Sequence, residues 1–187
     1  MRDSEQPGYQ VLSSFGHMEI RQYAPMMIAE VAVRGERKKA MKDGFRLLAD
    51  YIFGNNTMQS AIAMTVPVQQ QVNQKIAMTA PVQQQSSGNL WKVSFFIPAE
   101  YRLETVPKPN DPSIKLRSLP AKRVIVIQFS GYHSDSTIAK YEKQLVRYMK
   151  ENQMQALGAP KYAFYNPPWT LPFLRRNEIM LEIDRKV

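Results

Sequence analysis

Cysteine is absent from the 187 residues, which excludes disulfides, thiolate zinc sites and a cysteine nucleophile. Histidine is nearly as scarce. With only His17 and His133, a three-histidine zinc site is out of reach. No apolar run approaches the roughly 20 residues that span a bilayer, and the opening "MRDSEQPGYQ" lacks the apolar stretch of a secretory signal. The expectation is a cytoplasmic protein, or a periplasmic one if a signal segment has been removed. Also missing are G-x-S-x-G, G-x-G-x-x-G and a phosphate loop. Neither histidine lies in a recognisable triad setting. The chain reads as a binder rather than an enzyme.

What is present suits a folded core. Hydrophobic residues make up 44% and charged ones 22%, both within the globular range. A chain of this length buries about 70% of its unfolded surface. Twenty-five basic against 16 acidic residues give a net charge of +9, which favours anionic ligands. The densest cluster, "RGERKK" at 34–39, has no interleaved aromatics. It reads as a solvated helix start, so no nucleic-acid partner is expected. Nothing in the sequence points to a protein partner.

One phrase is written twice. Ile62 to Gln71, "IAMTVPVQQQ", returns as Ile76 to Gln85, "IAMTAPVQQQ", with Val66 replaced by Ala80. Alternate residues of a strand share a face. That rule groups Ile62, Met64, Val66 and Val68, and likewise Ile76, Met78, Ala80 and Val82. The two copies are expected as arms of a hairpin turned by the polar "QQQVNQK". Methionine suits a flat apolar guest and an irregular core gap equally well, so Met64 and Met78 are read both ways.

The rest alternates between strand and helix patterns. "HMEIRQYAPMMIAEVAVRG" predicts one or two strands broken at Pro25. Ala40, Gly44, Phe45, Leu48, Tyr51 and Ile52 recur at helical spacing up to the "FGNN" stop. "LWKVSFFIP" is a strand, and the proline-rich stretch 99–113 an extended connector. "RVIVIQFSG" is another strand. The next helix, "DSTIAKYEKQLVRYMKEN", has Asp135 or Ser136 as N-cap and Ile138, Tyr141, Leu145, Tyr148 and Met149 on one face. "KYAFYNPPW" and "NEIMLEID" close the chain as strands.

The halves match in order. "VAVRG" aligns with "IQFSG", setting Gly35 against Gly131 and Phe45 against Tyr141. "IAMTVP" then aligns with "YAFYNP" and "WKVSFFI" with "EIMLEID". This predicts two βαββ units in an α+β fold, an antiparallel sheet or open barrel carrying two helices. The organisation expected is a single domain over 1–187, with halves at about 9–98 and 114–187 around the connector.

These blocks resemble a known family. "EIRQYAP", "YIFGNN", "IAMTAPV", "FFIPAEY", "PKPNDPSIKL", "FSGYHS" and "YNPPWTLPFLRRNE", in this order from about Tyr9 to Ile183, resemble the SOUL haem-binding proteins. The doubled "IAMT-PV" is similar to the bacterial form. The resemblance implies two pseudo-symmetric βαββ modules in a distorted barrel, related to GyrI-like effector-binding domains. It also implies reversible binding of haem or porphyrin, for buffering or transport. The alternatives are an effector-binding or protein-interaction module and, third, a haem-dependent enzyme.

The implied ligand surface lies beside the first helix, where Lys42, Phe45 and Ala49 match basic and apolar positions of the family. Asp50 and Gln22 depart from its pattern, the latter standing where some members carry a proposed histidine ligand. His17 and His133 are the imidazoles available to an iron, and haem is the one cofactor expected. Trp91 and Trp169 are read as either core or ligand contacts. In "PPWTLPFLRRNE" one of Arg175 and Arg176 is expected to pair with Glu178 or cap carbonyls. The other, taken to be Arg175, is left open as an anion contact.

Overall fold

The computed structural model describes residues 5–58 and 74–184. Its elements run β1 (Tyr9–Phe15), β2 (Met18–Tyr23), β3 (Met26–Arg34), α1 (Arg37–Phe53), β4 (Asn56–Thr57), β5 (Val82–Ser87), β6 (Leu90–Phe96), β7 (Lys108–Pro109), β8 (Lys115–Leu119), β9 (Lys122–Phe129), α2 (Asp135–Glu151), β10 (Lys161–Phe164) and β11 (Asn177–Ile183). Among the described residues nine strands form one sheet in the order β1-β2-β9-β11-β10-β5-β6-β3-β8, and β4 pairs with β7 apart from it. Every pairing is antiparallel.

The internal repeat is visible in that order. One module, β3-α1-β5-β6, lies as β3-β6-β5, and the other, β9-α2-β10-β11, lies as β9-β11-β10. They meet where β5 pairs with β10, Val82 opposite Phe164. The strand before each module crosses to the other one: β2 pairs with β9, and β8 with β3. Each crossing is a two-residue link, Ala24–Pro25 and Pro120–Ala121. Links this short bring the two ends of the sheet together, so it curls into a half-barrel. Both links contain a proline, which supplies no backbone donor at a corner where ladder pairing stops.

Local sequence explains the layers. In β9, Ile125, Ile127 and Phe129 pack under α2 with Ile138, Leu145 and Met149. Val124 and Val126 point to the concave side with Tyr23, Ala163 and Met180. A strand buried on both faces reads as a continuous apolar run. Leu48, Tyr51 and Ile52 of α1 pack on Val31, Val93 and Phe95. Gly35 and Gly131, aligned by the repeat, have φ of 113° and 98°, a region that favours glycine.

Three local expectations change. The second copy of the doubled phrase is no strand before Val82. Ile76 N–H donates to the Ile52 carbonyl at 2.8 Å and Ala80 N–H to that of Glu5 at 2.9 Å. The Ile76 and Ala80 donors are therefore used by the end of α1 and by Glu5. The first copy, with Met64, lies outside the described residues. The cap of α2 is Ser134, whose side chain accepts from Thr137 N–H at 3.2 Å. The connector is also more than a spacer. Val106 is fully buried, the Pro107 carbonyl accepts from Tyr51 Oη at 2.7 Å, and β7 pairs with β4.

Candidate functional site

An α-helix turns about 100° per residue, so Phe45, Lys38, Ala49, Lys42, Phe53 and Arg46 share one flank of α1, within an arc of about 100°. Lys38, Lys42, Phe45, Arg46 and Phe53 are exposed and Ala49 is half-buried. The flank carries no carboxylate. Asp43 and Asp50 lie just beyond its Arg46 edge, about 60° and 40° further round the helix, where Asp43 accepts from Lys39 Nζ at 3.2 Å and Asp50 from Asn55 Nδ2 at 2.6 Å. The aspartate that departs from the family pattern is thus about 80° round the helix from Lys42 and is taken up by Asn55. Phe45 is 40% exposed, its ring meeting Phe95 edge-on at 5.3 Å. Met41, one turn earlier, touches the cores under both helices. That contact places the flank on the side of α1 facing the second module.

The second module supplies a wall of rings and cations. Trp169 is 76% exposed and Phe173 70%, held out by a turn that Arg175 ties together. Arg175 Nε donates to the Thr170 carbonyl at 2.8 Å and Nη2 to that of Pro168. Its guanidinium also lies 5.3 Å from the centre of the exposed Tyr132 ring. Arg176 makes the ion pair with Glu178, at 2.7 Å. Both arginines therefore have partners within the fold, and Arg175 keeps its charge at the surface beside Tyr132.

His133 lies between these parts. Its ring packs on Phe164 at 4.2 Å, and its Nδ1 is buried with no well-formed hydrogen bond. Burial first, then the charges of Arg37, Arg175 and Lys38, holds its pKa below the usual histidine value. That is the neutral imidazole a metal takes as ligand. The same three cations show how close the start of α1 comes to Arg175. Arg37 fastens the junction: Nε binds Asp135 at 2.6 Å and Nη2 the His133 carbonyl at 2.9 Å. His17 is exposed in the β1–β2 turn, at a cavity of about 370 Å³ shared with Glu19, Tyr141 and Arg175.

Lys42, Phe45 and Ala49 line an open surface; none borders the cavities of about 460, 240 and 370 Å³. Met78 is half-buried against the first core. The cavity of about 460 Å³ also holds methionines, Met26 and Met27, with Phe96, Tyr101 and Arg102, under the connector. Trp91 packs in the second core, 6.3 Å from Tyr162. Gln22 lies on β2 beside β9, away from α1, so its lack of a histidine does not bear on the α1 flank.

The profile of the SOUL heme-binding protein family matches residues 4–182. The chain belongs to this family. No curated protein matches it in sequence, while solved structures match its fold. The EcmrR C-terminal domain is similar with a TM-score of 0.64 at 10% identity, over 94% of this chain and 98% of that one. An uncharacterized conserved protein from Listeria innocua gives 0.59 at 12% identity, covering 89% and 92%. A hydrolase from Listeria innocua gives 0.56 at 10%, covering 89% and 91%. At these identities the likeness is one of fold: a curled antiparallel sheet carrying two helices, as the repeat predicted.

In this SOUL protein the concave face carries a charge centre that sequence reasoning missed. Glu178 is fully buried. It accepts from Arg21 Nη1 and Nη2, each at 3.0 Å, from Arg176 Nη2 at 2.7 Å and from Tyr165 Oη at 2.8 Å. Burial and this carboxylate push the Tyr165 hydroxyl well above its usual pKa. The "RRNE" spacing signalled the Arg176 pair, but Arg21 arrives from 157 positions away. The described residues contain no cluster of three or more acidic or histidine side chains fit to hold a metal ion. None of their helices is long and apolar enough to cross a membrane.

Proposed function

We propose that this protein binds haem or iron-free porphyrin reversibly on the open face formed by the α1 flank and the 131–133 and 166–175 segments. The observation that carries this reading is the acid-free flank of α1, where Lys38, Lys42 and Arg46 flank Phe45, Ala49 and Phe53. A tetrapyrrole is a flat apolar disc with two carboxylates, and the donor set fits it. Phe45 and Trp169 offer ring surface, and the lysines and Arg175 offer counter-charge for propionates. Burial of the disc at about 25 cal/mol per Å² outweighs exposed ion pairs of under about 1 kcal/mol each. Affinity therefore comes mainly from apolar contact, with the cations setting orientation.

Haem would bring iron, which binds axial imidazole or thioether. His133 is the imidazole nearest this face, yet its ring is committed to Phe164. Ring contact rather than ligation supports the reading, and with it a role in buffering or transport rather than catalysis. A spectroscopic titration of purified protein with haem and with protoporphyrin, beside a denatured control, tests it. Similar affinities for the two are expected, within about threefold, or about 0.7 kcal/mol. Haem bound far more tightly, with a sharp low-spin Soret band, would contradict it. Uptake of neither, with a protein partner recovered instead, favours the effector or interaction module.

A further inference from the structure

The concave face of the half-barrel holds a cavity of about 240 Å³ on the side of the sheet away from both helices. Its apolar wall includes Met26, Ile28, Phe96 and Met180. Its polar lining is unbalanced: Lys92, Arg117, Lys122 and Lys161 stand against Glu30 and Glu182. Glu30 lies 3.9 Å from Lys92 and 3.6 Å from Arg117, and Glu182 binds Lys122 at 3.0 Å. Both carboxylates already serve other cations. Lys161, half-buried on β10, makes no ion pair within 4.0 Å among the described residues. Burial, followed by the neighbouring Lys122 charge, lowers its pKa to about 8 despite Glu182 and Glu30.

A partly buried ammonium beside a second ammonium is electrostatically costly, and an anion placed between them relieves that cost. The apolar wall selects what the anion is attached to. We infer that this cavity is a second binding site, for a small amphiphilic carboxylate whose head lies at Lys161 and Lys122 and whose apolar body lies on Met26, Phe96 and Met180. The cavity is smaller than the roughly 300–1,000 Å³ of drug-sized sites, so the body is of one or two rings or a short acyl chain. A cation of the same shape is disfavoured by the excess positive charge. The site lies on the opposite side of the sheet from the porphyrin face and stands independently of it.

Calorimetric titration of the whole protein at pH 7 with naphthoate, naphthylmethanol and naphthylmethylamine tests the inference. Naphthoate is expected to bind at least about tenfold tighter than the other two, about 1.4 kcal/mol. Acetate, with the charge but no apolar body, is expected to give no measurable binding. Lys161→Met should lose the naphthoate preference, Lys161→Arg should keep it, and the haem titration of both should match wild type. Equal or tighter binding of the amine, or a Lys161→Met variant that retains naphthoate affinity, overturns the inference. The three-ligand comparison on wild-type protein decides the matter even if a variant fails to fold.

Discussion

At Glu178 two arginines and a tyrosine converge on one carboxylate without water access. Removing one member of such a buried set leaves the remaining charges uncompensated, at a cost of about 3–5 kcal/mol. Glu178→Gln should lower the urea midpoint by a corresponding amount, whereas Asp43→Asn, at an exposed helix pair, should change stability by less than about 0.5 kcal/mol. Lys161 behaves in the opposite sense. Its folded pKa of about 8 lies below the ordinary 10.5, so the unfolded chain binds more protons between those values. Stability therefore rises with pH across that window, and the penalty is fully present below about pH 8. Lys161→Met should melt higher than wild type at pH 7, with the gap narrowing towards pH 10. A gap that widens with pH would contradict this.

Among the elements, α1 was the most legible and also the most instructive. Its spacing identified the buried positions Ala40, Gly44, Leu48, Tyr51 and Ile52. Phe45, placed with them by periodicity, sits at the margin of that face and is left 40% exposed. Gly44 has a reason that periodicity cannot show. A Cβ there would come 2.6 Å from Cγ2 of Val93. Gly→Ala in a helix normally stabilises by about 1 kcal/mol, but overpacking of this kind costs about 1–3 kcal/mol. Gly44→Ala is expected to destabilise on thermal melting, and a Val93→Ala background should relieve part of the loss. The second copy of the doubled phrase departs from the strand expectation before Val82 for a physical reason. Apolar alternation reports which side chains are buried, not where backbone donors go, and here Ile76 and Ala80 donate to Ile52 and Glu5.

For the whole molecule, the repeat predicted two βαββ modules, and the sheet contains them. The crossing of β2 to β9 and β8 to β3 was not legible, because antiparallel partners 85 to 109 residues apart leave no local signature. The same limit hid Arg21 from Glu178 and Lys122 from Lys161, each pair assembled by the curl of the sheet. Motif matching pointed to the α1 flank as an expectation, whereas the cavity on the concave side emerged only from three-dimensional placement. The two faces of the half-barrel are thus proposed to take different ligands, a porphyrin outside and a small carboxylate inside.

Haem titration of two variants beside wild type tests that assignment most directly. Lys42→Glu combined with Phe45→Ser alters positions of α1 outside its buried face and should weaken haem at least about tenfold, about 1.4 kcal/mol, in a protein that still melts cooperatively, with the loss of the Phe45–Phe95 contact lowering the midpoint only modestly. Lys161→Met should leave haem affinity at the wild-type value. Unchanged haem affinity in the α1 variant, or a loss confined to Lys161→Met, would contradict the account.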